Sequence, residues 1–105
     1  MHLEVTHYRR ARADGDCPFC GRHLPLTFHH LIPRKLHRRK HYRRHYARNV
    51  LAQGIYIGRD CHDGIHKTYS EMELAQEKAT PEALTSDPAL ARHFAWVARQ
   101  RRSNS

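Results

Sequence analysis

The sequence predicts a small α+β domain in which two strands and a helix form the core and further helices follow. Apolar and polar residues alternate from Leu24 to Phe28, which is the period of a half-buried strand. A second apolar segment, entered through a glycine, covers residues 54–57. Helix-start signals then recur at Asp60, Ser70 and Asp87. With 105 residues, the chain has room for one domain and a modest core.

The composition indicates a fold that needs support beyond its hydrophobic core. Only 39% of the residues are hydrophobic and the mean hydropathy is -0.86, so we expect a bound metal or tight local packing. No apolar run reaches membrane-spanning length and no leader pattern is present, which predicts a cytoplasmic protein with no membrane partner. The three cysteines are an odd number, and two of them form C-x-x-C, which argues against a disulfide scaffold.

The charge balance predicts a polyanionic partner. Lys and Arg total 19 against 10 Asp and Glu, giving a formal net charge of +9 and a pI near 10.1. Nucleic acid is the leading candidate.

The first part of the chain combines a basic arm with a cysteine knuckle. Residues 1–16 carry Arg9, Arg10 and Arg12 and end at a turn signal, Asp14-Gly15-Asp16. The sequence Cys17-Pro18-Phe19-Cys20-Gly21 follows, and two thiolates at this spacing can face one zinc ion. A redox function is the weaker alternative, because no βαβ pattern surrounds the motif.

A basic segment, residues 34–48, separates the two strands. Histidines at 37, 41 and 45 would form one stripe on a helix, although a mobile loop is equally compatible. We interpret the segment as a surface that follows phosphates, the alternative being a solvated linker. Its eight cationic residues, the predicted nucleic-acid contacts, are Arg34, Lys35, Arg38, Arg39, Lys40, Arg43, Arg44 and Arg48.

The C-terminal half reads as a series of capped helices. Asp60 is the expected cap of a helix from Cys61 to Thr68, and Ser70-x-x-Glu73 forms a capping box. Thr80-Pro81 starts a short turn, and Asp87-Pro88 starts the last helix. The core face of that helix comprises Leu90, Phe94 and Val97, and a basic tail that frays begins at Arg99.

Four histidines in two short motifs are the candidate metal ligands and general base. His62 and His66 are four residues apart, so on a helix they share a face and can bind one ion. His29 and His30 are adjacent at a strand end, where neighbouring side chains diverge. One of them can therefore complete a three-histidine metal site while the other stays free as a base. Together with the charge, this favours phosphodiester hydrolysis over a pair of surface histidines on a polar helix.

In order along the chain, the CPFCG, HHLIPR and CHDGIH motifs resemble the HNH (His-Me finger, ββα-metal) nuclease family over about half the chain. The downstream pattern is similar to small stand-alone bacterial or phage members. The resemblance implies a ββα-metal core of a two-stranded hairpin plus helix over residues 17–68, with C-terminal helices over 69–105. It implies His30 as general base, and His29, His62 and His66 as ligands of a divalent ion (Mg, Mn, Ni or Zn). It also implies cleavage of DNA, with double-stranded DNA as the expected form, that is nicking or non-specific and leaves 5′-phosphate and 3′-hydroxyl ends.

Two positions depart from the family pattern. The asparagine that usually orients the base loop is replaced by Gln53, while Asn49 lies four residues earlier, and either is a candidate. The family often has a second C-x-x-C, but here Gly58 stands where the partner of Cys61 would be. A structural zinc site of Cys17, Cys20 and Cys61 therefore lacks a fourth cysteine, which leaves His23, a water molecule, or no zinc at all.

Two other hypotheses compete with the nuclease. The chain is either a non-catalytic, zinc-stabilised nucleic-acid-binding module or a nuclease subunit directed by a protein partner. The spare histidine at position 30 favours an enzyme, since a binding module has no need of a base. The sequence assigns no oligomeric state.

Overall fold

A four-stranded antiparallel sheet, with the strand order β1-β4-β3-β2, organises the computed structural model, which describes residues 5–8 and 14–100. The strands are β1 (Thr6–His7), β2 (Asp14–Asp16), β3 (His23–His30) and β4 (Gln53–Gly58). The helices are α1 (Lys40–His45), α2 (Arg48–Leu51), α3 (Arg59–Thr68), α4 (Glu71–Glu77), α5 (Pro81–Ser86) and α6 (Pro88–Ala98). The α+β class is confirmed.

The two predicted strands form the central pair of the sheet. β3 and β4 are antiparallel in a register that runs from Leu26 opposite Gly58 to His30 opposite Gly54. The predicted two-stranded hairpin is only the central part of the sheet, because a short edge strand flanks this pair on each side. β1 pairs with β4, and β2 pairs with β3 through the Asp14–Asp16 segment that was predicted to be a turn. Arg9, Arg10 and Arg12 of the predicted arm lie outside the described residues.

The buried side of β3 changes toward its C-terminal end. Leu24 and Leu26 are buried, as the alternation predicted, but Phe28 is only half-buried and His29 has no exposed surface. The reason is the helix that packs beside this end of the strand: Thr27 hydrogen-bonds to His62 of α3, and the His29 ring lies near the same side chain. Packing by α3 thus buries a polar residue that periodicity alone places outside.

The basic segment is ordered as short helices and not as a loop. A 3-10 helix covers Arg34–Leu36, and α1 and the start of α2 follow. Leu36 and Tyr42 are buried in a small core with Ile32, Leu51 and Ala75, which fixes the segment against α4. The three histidines therefore do not form one helical stripe: His41 and His45 lie on α1, whereas His37 precedes it.

Helix starts follow the predicted caps with one exception. The Ser70–Glu73 capping box is present in both directions, and Thr80 and Asp87 accept hydrogen bonds from the first turns of α5 and α6. Asp60 is not the cap of α3, because β4 runs directly into the helix and Gly58 becomes the cap residue. Asp60 lies in the first turn instead, where a carboxylate favours the positive end of the helix dipole.

The main core lies where α3 packs against β3, β4 and α6. Its fully buried members include Ile57, Ile65 and Leu90. The predicted core face of α6 is confirmed by Leu90, Phe94 and Val97, while Trp96 is 52% exposed. Within the described ranges, no helix is both long and apolar enough to cross a membrane.

Candidate functional site

The structure brings three of the predicted histidines together. His29 is the penultimate residue of β3 and faces His62 and His66 on successive turns of α3, and one ligand atom from each lies within 4.8 Å of the others. The ring centroid of His29 is 5.2 Å from that of His62 and 5.5 Å from that of His66. Their spacing suits a single ion bound by three imidazoles.

His29 is the buried centre of this cluster. It has no exposed surface, and neither of its ring nitrogens has a hydrogen-bond partner. Burial, reinforced by the neighbouring charges of His62 and His66, lowers the pKa of His29 to about 3, so the ring is neutral at pH 7. Buried polar atoms in proteins are almost always satisfied, so the unpaired nitrogens fit a metal ligand.

Thr27 fixes the orientation of His62. The Thr27 hydroxyl donates to the carbonyl of Ile57 at 3.1 Å, so its oxygen can only accept from the Nδ1–H of His62 at 2.9 Å. The Nε2 lone pair of His62 is thereby left for an ion. The sequence analysis missed Thr27; the signal was its position two residues before His29, on the same side of the strand. Burial is also the main cause that lowers the pKa of His62 to about 4.

His30 lies apart from the three-histidine cluster, as the divergence of neighbouring strand side chains requires. It is half-buried, and its ring contacts Phe28 at 4.9 Å and His37 at 5.5 Å between centroids. Burial is the main cause that lowers the pKa of His30, followed by the charges of His37 and Arg34. A neutral imidazole of this kind can accept a proton at neutral pH.

Gln53 and Asn49, the two candidates for orienting the loop of the base, each accept a hydrogen bond through the main-chain carbonyl. The carbonyl of Gln53 accepts from the amide of Leu31, directly after His30, at 3.2 Å. The carbonyl of Asn49 accepts from His7 Nε2 at 2.9 Å. Gln53 is therefore tied to the base-bearing segment through its main chain, and Asn49 to β1.

The three cysteines form a second cluster that could bind a metal such as zinc. Cys17 and Cys20 lie on the knuckle between β2 and β3, Cys61 lies on α3, and all three sulfurs are within 4.8 Å of one another. The knuckle closes through the Gly21 amide, which donates to the Cys17 carbonyl at 2.8 Å, and through a positive φ of 80° at Gly21. The Cys61 thiol lies 3.8 Å from the Cys17 sulfur, which lowers the pKa of Cys17 and raises that of Cys61.

No fourth protein ligand joins the thiol cluster within the described residues. His23 is exposed and its Nδ1 lies 2.9 Å from Asp16 Oδ1, outside the group of sulfurs. At position 58, an added Cβ would lie 2.6 Å from Leu24 Cδ1 and 3.6 Å from Cys17 Cβ. Position 58 is thus directed at the cluster, but Leu24 fills the space that a cysteine there would need.

The cationic residues from Arg34 to Arg48 form an exposed basic surface. All eight side chains predicted to contact nucleic acid are exposed. No Asp or Glu occurs in the sequence between Asp16 and Asp60. Among the residues that the structure describes, none of these eight cations forms an ion pair with a carboxylate. The surface therefore presents uncompensated positive charge beside His30 and His37.

Comparison with known proteins places the chain in a family. It is 32% identical over 87 residues to the uncharacterized protein YisB of Bacillus subtilis (strain 168), an alignment that covers 82% of this chain and 76% of that protein. The chain belongs to the same family as YisB. No protein-family model matches the chain, and no solved structure matches it.

Proposed function

We propose that the protein is a metal-dependent endonuclease of the HNH (ββα-metal) type that hydrolyses phosphodiester bonds in DNA. The observation that carries the proposal is His29, which is fully buried with both ring nitrogens unpaired and lies beside His62 and His66. The next residue, His30, lies on the other side of the strand and outside this cluster. A metal site that only stabilised the fold would not explain why a second histidine, His30, is half-buried next to His29.

Each group at the site has a distinct task in the proposed reaction. His29, His62 and His66 would hold one divalent ion, which would supply positive charge to the phosphate and to the leaving 3′ oxygen. His30 accepts a proton from a water molecule, whose oxygen forms the new bond to phosphorus. The bond from phosphorus to the 3′ oxygen breaks and that oxygen takes up a proton from solvent, which leaves 5′-phosphate and 3′-hydroxyl ends. Arg34, which is exposed four residues after His30, would contact a flanking phosphate.

The thiol cluster has a supporting task in this proposal. Cys61 belongs to the same helix as His62 and His66, so a zinc ion bound by the three thiols would anchor the start of α3 to the knuckle. That anchor would hold the ligand-bearing helix against β3. The cluster and the basic surface also support the alternative of a non-catalytic binding module, and an activity assay separates the two hypotheses.

Cleavage of supercoiled plasmid tests the proposal. We expect purified protein to cut the plasmid with at least one of Mg²⁺, Mn²⁺, Ni²⁺ or Zn²⁺, and His30→Ala to lower the rate at least about 100-fold. His41→Ala is the matched control, because His41 is exposed on α1 and belongs to neither cluster. If no metal supports cutting, or if His30→Ala cuts as fast as the control, the nuclease proposal is wrong.

A further inference from the structure

Two adjoining pockets lie on the basic surface. The larger one, here called the Tyr46 pocket, has a volume of about 510 Å³ and is lined by His37, Arg38, Arg43, Tyr46, Arg48 and Leu51. The smaller one, the Lys40 pocket, has a volume of about 390 Å³ and is lined by Arg38, Lys40, Arg43 and Arg44. Because Arg38 and Arg43 line both, the pockets share a wall. His37 connects the larger pocket to His30, whose ring it contacts.

The charges of both pockets call for an anionic ligand. Three arginines line the Tyr46 pocket, and only cations line the Lys40 pocket. No carboxylate within the described chain pairs with any of them. Phosphate groups match this chemistry, since the guanidinium fork binds phosphate oxygens in pairs.

The two pockets differ in the apolar surface they offer. Tyr46 and Leu51 give the larger pocket an aromatic ring and an aliphatic side chain. The Tyr46 ring stacks on Tyr42 at 5.8 Å with an interplanar angle of 20°, and Tyr46 remains 37% exposed. A ring supported in this way can stack a nucleobase, and the volume lies within the roughly 300–1,000 Å³ of ligand pockets. The lining of the Lys40 pocket consists of cationic side chains alone, so it offers no ring for stacking and suits a phosphate.

We propose that the Tyr46 pocket binds one unpaired nucleotide of the DNA substrate next to the cleaved phosphate. The base stacks on Tyr46, the flanking phosphate contacts Arg38 and Arg43, and the next phosphate of the strand enters the Lys40 pocket. A base within a duplex keeps its faces stacked on its neighbours, so only a bulged, gapped or terminal nucleotide reaches the ring without further cost. This inference rests on the proposed nuclease function and names its substrate class: DNA with an unpaired nucleotide beside the cut.

Equilibrium binding measured by fluorescence anisotropy tests the pocket. Three labelled duplexes are compared: one fully paired, one with a single bulged thymidine, and one in which the bulged nucleotide is abasic. His30→Ala serves as the background, so that cutting does not interfere. We expect the bulged thymidine to bind at least about fivefold tighter than the abasic bulge, as stacking of one base provides. Tyr46→Ala should remove this difference, and Tyr46→Phe should keep it.

A second set of variants tests the phosphate contacts. Arg43→Gln should weaken binding of all three duplexes by a similar factor, while Arg92→Gln, an exposed arginine of α6 outside both pockets, should leave affinity unchanged. Unchanged thermal denaturation of each variant shows that the fold is intact.

Two results would contradict nucleotide binding in the Tyr46 pocket, and neither depends on catalysis. Equal affinity for the two bulges, or a thymidine preference that survives Tyr46→Ala, places the base elsewhere. A protein that prefers the thymidine bulge but cuts neither plasmid nor the bulged duplex would contradict the nuclease and keep the pocket. A protein that cuts plasmid without the preference would contradict the pocket alone.

Discussion

The hydroxyl of Thr27 determines which nitrogen of His62 faces its histidine neighbours. It accepts from His62 Nδ1 and donates to the Ile57 carbonyl, so it cannot exchange the two roles. Partners that hold a metal-binding histidine from behind commonly matter almost as much as the ligand itself. Thr27 is therefore a positioning residue for the proposed metal site.

Replacing Thr27 by valine should change the orientation of His62 without changing the fold. Thr27→Val keeps the branched shape but removes the acceptor, so we expect affinity for a metal at the histidine site to fall about 10- to 100-fold. Calorimetric titration with Ni²⁺, after the thiol cluster has been loaded with Zn²⁺, measures the change. Thr85→Val is the matched control, because its hydroxyl contacts only carbonyls of its own helix. Equal affinity in the two variants would contradict the assigned role.

The histidine spacings were readable from the sequence, but the surroundings of the histidines were not. Positions 62 and 66 must share a helical face, and positions 29 and 30 must diverge on a strand. The contact of Thr27 with His62 depends instead on how α3 packs against β3. The obstruction of position 58 by Leu24 likewise depends on the packing of β3 against β4, so neither has a local pattern.

The contact between α3 and α6 is close because Gly64 has no side chain. An added Cβ at position 64 would overlap the ring of His93, whose Nε2 hydrogen-bonds to the Asp60 carbonyl at 3.0 Å. Gly64 lies in the middle of α3, between the two histidines that face His29. The glycine therefore lets α6 support the helix that carries two of the proposed ligands.

Gly64→Ala should lower the free energy of unfolding by about 1–3 kcal/mol, because the new methyl group displaces the His93 ring. Adding His93→Ala should make the same alanine neutral or favourable, since alanine is otherwise better than glycine inside a helix by roughly 0.5–1 kcal/mol. A double-mutant cycle by urea denaturation measures the coupling. Independent, additive effects of the two substitutions would show that the overlap is not the cause.

Asp87 joins three elements through one buried carboxylate. It accepts from the Leu90 amide at 3.0 Å, from the Tyr69 hydroxyl at 2.6 Å and from Lys78 Nζ at 3.3 Å. The hydrogen bond from Tyr69 is the main cause that lowers the pKa of Asp87 below its ordinary value of 3.8. The stabilisation is therefore complete above that value and is lost as the pH falls through the lower pKa of the folded state.

Asp87→Asn keeps an acceptor for the helix cap but removes the charge. We expect the variant to be less stable by about 1–3 kcal/mol at pH 7, because charge-assisted hydrogen bonds become neutral ones. The difference from the unmodified protein should shrink below about pH 4, where the carboxylate of the unfolded state begins to take up its proton, and should continue to fall through the lower pKa of the folded state. Urea denaturation from pH 3 to 7 follows it, and a difference that does not depend on pH would contradict the assignment.

Local signals predicted the helices better than the sheet edges. Ser70 and Asp87 act within one turn of chain, and each caps the helix that the sequence indicated. Thr80, which was expected to start only a short turn, caps the six-residue helix α5. β1 and β2 are two and three residues long, too short for an alternating pattern, and they form only by pairing with β4 and β3. Similarly, the order of the basic segment comes from Leu36 and Tyr42, which pack beneath it.

At the scale of the whole molecule, the charge distribution would determine how the protein binds DNA in the proposed function. If the basic surface is the contact face, replacing Arg38, Arg43 and Arg44 by glutamine should weaken DNA binding and reduce the slope of log K against log salt. The slope should fall by roughly 0.9 for each phosphate that the variant no longer neutralises. The control replaces Lys67, Arg92 and Arg99, which are exposed elsewhere, so both variants carry the same net charge. Anisotropy titrations across salt concentrations measure the slopes, and equal slopes in both variants would contradict the assigned face.

The stretch without carboxylates, from Asp16 to Asp60, also bears on folding. The eight cations of its basic surface repel one another in the folded protein, none of them forms an ion pair with a carboxylate of the described residues, and added salt screens that repulsion. Salt should therefore raise the stability of the fold while it weakens binding to DNA. If DNA is the partner, it would take the place of the missing anions at low ionic strength, and a ligand that binds only the folded state stabilises it. The protein would then be least stable in dilute buffer without DNA, and most protected there once DNA is bound.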